Sequence, residues 1–181
     1  PFSERVPYRD YFPFKQIKAL LYDLIWGIGD YTPGDEYTLF HFTRPGGICR
    51  FAVPICYESA FPAVVRTFCR DGADFLVVIT NDAWFGRTSG PYQHARIAVF
   101  RAIENRIGIA RCANTGISCF IDPCGRVSKA TALDQQTVLT GSVTLRHRTT
   151  WYTRHGDLFA WLCALVSVTV LVASAISKKN N

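Results

Sequence analysis

Ile55-Cys56-Tyr57-Glu58 is the stretch that decides how this chain reads. It follows the apolar positions Ile48, Phe51, Ala52 and Val53 and precedes a helix-compatible run over 59–70. A cysteine at a strand-to-helix junction is held on a sharp bend with its sulfur beyond the sheet edge. The amide after it can face a developing oxyanion, and the start of the helix favours negative charge there. Such a place suits a nucleophilic thiolate. It also suits a small buried core residue, and the tetrapeptide alone does not choose between the two.

Working outward from the cysteine, residues 37–42 and 48–55 read as strands around the Arg44-Pro45-Gly46-Gly47 turn. Residues 61–69 read as a helix that Asp71-Gly72 ends, and 75–80 is a continuous apolar strand of the kind buried on both faces. A loop over 81–91 leads into a helix over 92–106, with Ala95, Ala98, Val99, Ala102 and Ile103 on one face. Strands are expected over 109–113, 118–121 and 137–143, with an Asp122-Pro123 turn between the last two. Alternating strands and helices make an α/β domain. Upstream, residues 1–35 form an arm rich in Pro, Tyr and Phe, with one amphipathic helix near 14–26 whose apolar face suits either lipid contact or burial.

The chain of 181 residues is long enough to bury one sizeable core. Its net charge of +6 is scattered, apart from Arg146, Arg148 and Arg154, which argues against nucleic-acid binding and for a basic face near an anionic membrane. The 7 cysteines include no C-x-x-C pair and no ligand-like cysteine–histidine spacing, so no metal site and no cofactor are expected. Cys49 and Cys112 read as core residues in apolar strands. The absence of Met and the opening at Pro1 read as part of a longer protein.

No residue of 158–176 is charged. Nineteen residues at about 1.5 Å each reach roughly 28 Å, close to a bilayer core of about 30 Å. Trp151, Tyr152 and Trp161 flank the entry and Lys178-Lys179 the exit, as interfacial anchors do. The expected organisation is a globular part at 1–150, a juxtamembrane linker at 151–157, a transmembrane helix at 158–176 and a cytoplasmic tail at 177–181. The positive-inside rule then puts the globular part on the opposite, periplasmic side.

A series of motifs accompanies the cysteine: Pro1-Phe2-Ser3-Glu4, then Thr80-Asn81-Asp82-Ala83-Trp84-Phe85-Gly86, Gly90-Pro91-Tyr92-Gln93-His94, Arg101-Ala102-Ile103-Glu104-Asn105, Arg111-Cys112-Ala113-Asn114-Thr115-Gly116 and Asp122-Pro123-Cys124-Gly125. In this order they resemble the carbon–nitrogen hydrolase (nitrilase) superfamily and, within it, the C-terminal portion of the apolipoprotein N-acyltransferases. The resemblance implies a nitrilase-like αββα sandwich, here partial. It implies a Glu–Lys–Cys triad in which Cys56 is the nucleophile and the Tyr57 amide helps hold the oxyanion. The triad's glutamate and lysine precede the Pro-Phe-x-Glu motif in that family, so this chain lacks both; Lys15 and Lys18 lie on the wrong side of it.

The resemblance also gives Glu4 and Glu58 supporting places at the site. Glu4 either fixes the missing lysine and shares proton transfer, or is a surface carboxylate paired with Arg5 or Arg9. Glu58 either orients the elbow or the lysine, or forms a structural ion pair. Trp84 and Phe85 are either an aromatic lid for an acyl chain or ordinary loop packing. Asn81 and Asp82 are expected to fix that loop. His94 invites a Cys–His dyad, yet the superfamily's base is a carboxylate, so it reads as structural. Arg101 and Glu104 are spaced for an i, i+3 ion pair.

The implied reaction moves an acyl chain from a phospholipid donor, through a thioester on Cys56, to the α-amine of a diacylated apolipoprotein. It would take place at the bacterial inner membrane, in a protein with further upstream spans. Two rivals stay open. One is a membrane-tethered amidase or nitrilase using water; the other is an inactive piece that folds only with its missing partner.

Overall fold

The turn Arg44–Gly47 reverses the chain between two strands, β1 (Phe40–Arg44) and β2 (Gly47–Ala52), which pair antiparallel with Phe42 opposite Cys49. From β2 onward the computed structural model alternates strand and helix: α1 (Pro62–Arg70), β3 (Phe75–Asn81), α2 (Gly90–Asn105) and β4 (Gly108–Asn114). Two short strands follow, β5 (Cys119–Ile121) and β6 (Val127–Ser128), and then two helices, α3 (Trp151–His155) and α4 (Leu158–Lys179). The structure describes residues 34–146 and 148–179, with the side chains of 175, 177 and 179 excepted. Glu4, Lys15, Lys18 and the helix expected at 14–26 therefore lie outside the described residues. The chain divides into two units, Pro1–Thr38 and Leu39–Asn181, and everything below concerns the second.

The six strands form one sheet in sequence order. β2, β3 and β4 run parallel, and the flanking strands are antiparallel. Parallel neighbours need crossovers, and α1 and α2 supply them. The apolar run of β3 splits by pleat. Leu76 and Val78 are buried together with Val65, Phe68 and Cys69 of α1, Ala98 and Ala102 of α2 and Ile109 of β4. Pro62 starts α1, where the missing N–H costs nothing.

The other pleat face carries Phe40, Phe42, Phe51 and Phe75, whose rings stack across the strands at 5.2 to 6.4 Å. Phe40 and Phe42 remain nearly half exposed, so this apolar face is only partly covered among the described residues.

Three expectations need correction. Residues 137–143 form no strand and pair with none. The segment crosses the open face of the sheet instead. Gly141 lies against the Phe120 ring, and a side chain at Gly108 would collide with the Thr144 backbone. Alternating apolarity cannot tell a ladder from a strap of this kind. Second, Cys112 is exposed, whereas Cys49, on the same pleat face, is buried as expected.

Third, the transmembrane helix expected at 158–176 is not shown. Among the described residues no helix is long and apolar enough to cross a membrane. What is present is a 22-residue helix whose every described side chain is exposed.

Candidate active site

After β2 the chain stays beside β3 for three more residues. Ile55 bridges to Ile79 in parallel, and the Ile79 N–H donates to the Pro54 carbonyl at 3.3 Å. At Cys56 it breaks away with φ +50, a left-handed conformation that costs a non-glycine residue about 1–3 kcal/mol. A tight 3-10 turn, Cys56–Ala60, follows. The bend expected of the tetrapeptide is therefore present. It lies beyond the carboxyl ends of the parallel strands, where open α/β sheets place their ligands.

Several bonds hold the bend. The Glu58 N–H donates to the Ile55 carbonyl at 3.0 Å, and Glu58 Oε2 accepts from the Ile55 N–H at 2.8 Å. Glu58 thus closes the elbow on itself. The Ser59 hydroxyl donates to the Cys56 carbonyl at 2.8 Å. From α2, Arg101 Nη1 donates to the Ala60 carbonyl at 3.3 Å while Nη2 holds Glu104 at 2.7 Å, the expected i, i+3 pair.

Behind the elbow runs a buried polar network. Ser59 Oγ lies 3.3 Å from His94 Nε2, and His94 Nδ1 lies 2.8 Å from Asp82 Oδ1. Asp82 Oδ2 accepts from Arg111 Nη2 at 2.9 Å, and Thr80 Oγ1 donates to Asp82 Oδ1 at 3.1 Å. The side chains of Asp82 and Arg111 are 0% exposed and that of His94 2%. Burial pushes the Asp82 carboxyl up. The hydrogen bond from His94, the charge of Arg111 and the Thr80 hydroxyl outweigh it, so the carboxyl titrates below its ordinary value. Gly116 makes room for the carboxylate, because any side chain there would strike it.

His94 is also where the aromatic residues meet. The Tyr57 ring lies 5.6 Å from it and the Phe85 ring 6.2 Å. Phe85 also packs so closely on Gly90 that no Cβ would fit there. Trp84 is instead 64% exposed. The two aromatic side chains expected to act as one lid differ in setting: Phe85 packs at the start of α2, and Trp84 is exposed. A cleft of about 140 Å³ opens between Asp82, Ala83, Gly86 and Arg87 on one side and Thr115, Leu133 and Asp134 on the other. Cys56 does not line it, and its size falls below that of ordinary ligand sites.

Sequence reading put Cys56, Tyr57, Glu58, Trp84, Phe85 and Glu4 at one place; the structure sets Cys56, Tyr57 and Glu58 on one turn and Phe85 with Tyr57 around His94, leaves Trp84 exposed, and Glu4 lies outside the described residues. It took His94 as structural and Asp82 as a loop tie. It missed that Ser59 and Arg111 join both into one network. A lone arginine in the apolar strand 109–113 was the available signal, since a core-facing charge needs a buried partner. Lys129 does not stand in for the missing lysine: its Nζ donates to the Thr140 carbonyl, near β6.

The carbon–nitrogen hydrolase family matches residues 8–153. The apolipoprotein N-acyltransferase of Chlorobaculum tepidum is 47% identical over 180 residues, 99% of this chain and 33% of that protein. That of Geobacter metallireducens is 42% identical over 175 residues, 97% of this chain and 33% of its own length. The chain thus spans about a third of the curated relatives it matches. Among solved structures, Nit3 of Saccharomyces cerevisiae, a nitrilase-superfamily member, aligns with a TM-score of 0.47 and 23% identity over 59% of this chain and 41% of that one. The family match runs unbroken through the elbow, the parallel strands and α2, and the chain belongs to the carbon–nitrogen hydrolase family.

Proposed function

We propose that this chain is the nucleophile-bearing third of an apolipoprotein N-acyltransferase. The observation that carries the reading is Cys56 held at φ +50 beyond the carboxyl ends of three parallel strands. Cys56 Sγ attacks the ester carbonyl of a phospholipid. The ester C–O bond breaks, the lysophospholipid leaves as the alcohol with a proton, and the acyl group stays as a thioester. The α-amine of a diacylated apolipoprotein then attacks that thioester. An amide forms, the thiol returns, and a proton leaves the amine. Aminolysis is strongly downhill and sets the direction.

The Tyr57 amide stabilises the oxyanion, with a lysine supplied from upstream; an upstream glutamate, with Glu4 beside it, moves the protons. Glu58 holds the elbow, and Trp84 faces the acyl chain. The length of the relatives supports an upstream source for the missing triad members, so the 181-residue chain alone is expected to be inactive.

The membrane helix belongs to the same reading. The whole of α4 is 22 residues, about 33 Å at 1.5 Å each. Leu162, Leu165, Val168 and Leu171 are all more than half exposed, and an exposed helix apolar on every side has lipid as its solvent. That favours a phospholipid substrate over the water-soluble amides of a tethered amidase. By the positive-inside rule, Lys178-Lys179 support a cytoplasmic C-terminus, with Cys56 then on the periplasmic side of the inner membrane.

Mass spectrometry tests the chemistry. The complete protein, incubated with phospholipid, should carry a hydroxylamine-labile acyl adduct on Cys56. Cys56→Ala should lose both adduct and turnover. A thioester on another cysteine in Cys56→Ser would sink the assignment.

A further inference from the structure

We propose that Ser59, His94 and Asp82 are positioning residues that aim the Tyr57 amide at the oxyanion. The inference rests on the reading of Cys56 as the nucleophile and adds residues that reading does not use.

The argument starts from one peptide unit. The Cys56 carbonyl and the Tyr57 N–H belong to the same planar group, and no described peptide bond is cis. In a trans unit the C=O and the N–H point in opposite directions. The Cys56 carbonyl is bonded at 2.8 Å to Ser59, which is 1% exposed and faces the interior. Holding that carbonyl inward therefore holds the Tyr57 N–H outward, at the position that an oxyanion on a Cys56-bound carbon would occupy. Without the bond, a left-handed residue such as Cys56 would gain by relaxing its φ, and relaxation would rotate this peptide.

Ser59 is itself held from behind. His94 Nε2 lies 3.3 Å from its hydroxyl, and Asp82 fixes the imidazole through Nδ1 at 2.8 Å. The contact at Nδ1 fixes the plane of the ring and so keeps Nε2 against the Ser59 oxygen. Arg111 anchors the carboxylate at 2.9 Å, on rigid β4. Tyr57 and Phe85 clamp the ring from other directions. No member of the chain Asp82–His94–Ser59 has to touch substrate, because each acts through the next and the last acts through the Cys56 carbonyl.

The test compares two reactions at the same sulfur in the complete protein. Acylation by a short-chain p-nitrophenyl ester passes through an oxyanion; alkylation by iodoacetamide is a direct displacement and does not. Ser59→Ala should lower kcat of the acylation burst by about ten- to a hundredfold with KM unchanged, the scale of a small misplacement of a catalytic group. The iodoacetamide rate should stay within about twofold of wild type, since the thiol keeps its place.

Ser59→Thr, which keeps the hydroxyl, should recover most of the loss. His94→Gln, which keeps a polar group near Nε2, should fall between wild type and Ser59→Ala. Unchanged acylation in Ser59→Ala would overturn the proposal. So would an equal fall in both rates, which would mean that the elbow had simply collapsed. If wild type is acylated by the p-nitrophenyl ester but not by phospholipid, the substrate reading fails while the comparison among variants still decides this one.

Discussion

Helix α2 buries His94, Arg101 and Asn105, whereas α4 turns Leu158, Phe159, Leu165 and Leu171 outward. Both depart from apolar-in, polar-out, and for different reasons. In α2 each buried polar group has a partner. His94 has Asp82 and Ser59, Arg101 has Ala60 and Glu104, and Asn105 donates to the Arg101 carbonyl and accepts from the Thr153 hydroxyl. A polar stripe is tolerable in a core when each of its side chains has at least one partner. In α4 nothing in the described chain covers the apolar surface, and a patch of that extent marks an interaction with something else. The lesson is that α2 is specified by what the chain brings to it, and α4 by its surroundings.

The strongest way to break the α2 side is Asp82→Ala. It leaves Arg111 and His94 buried without their acceptor, and removing one partner of a buried pair costs about 3–5 kcal/mol. Thermal unfolding of the complete protein in detergent should show a loss of that size. A stability within about 1 kcal/mol of wild type would mean that the network relaxes without consequence. The same carboxylate sets an acid limit. Its folded pKa lies below the ordinary value, so its stabilisation is present above about pH 3.9 and is lost as pH falls through the folded value.

On the α4 side the break is a charge. Val168→Lys, at a position 57% exposed, should leave the unfolding of the globular part unchanged. It should weaken membrane insertion of α4 by about 2.5–3.5 kcal/mol, seen as a probe at Asn181 of the complete protein becoming open to a membrane-impermeant reagent from outside the cell. Unchanged protection of that probe would mean that α4 meets protein rather than lipid.

The same contrast explains what could be read before folding. The elbow, the Arg44–Gly47 turn, β3 and α1 were legible because each is a local pattern: an apolar run, a Pro-Gly turn, a helix stop at Asp71-Gly72. The buried face of α2 was legible only in part. Periodicity pointed to Ala95, Ala98, Val99, Ala102 and Ile103; Ala98 and Ala102 are buried and Ala95 and Val99 half-buried, yet Ile103 is 39% exposed while Arg101 and Asn105 are buried. Hydropathy assigns charge to solvent, and only the positions of Asp82, Ala60 and Thr153 reverse that assignment. Those positions are fixed by strands and turns far away in sequence. The strand expected over 137–143 failed for a related reason, since the partner of that segment is a sheet face rather than a strand edge.

The smallest effect lies at the far end of α2, where the stripe is not perfectly saturated. Glu104 pairs with Arg101, but Glu104 Oε2 and Arg101 Nε have no partner among the described residues. Burial outweighs the attraction of Arg101, with a little help from Asp157, so the Glu104 carboxyl titrates above its ordinary value. The sign is therefore opposite to that of Asp82. The folded protein keeps this proton to a higher pH than the unfolded chain does. Stability should fall as pH rises from about 4.3 through the folded value, then level off. Glu104→Gln, which cannot ionise, should flatten that part of the stability profile and leave the acid limit set by Asp82 in place. A profile that keeps its slope in Glu104→Gln would assign the titration to another group. It would also mean that the far end of α2 is as well satisfied as the end that holds the elbow.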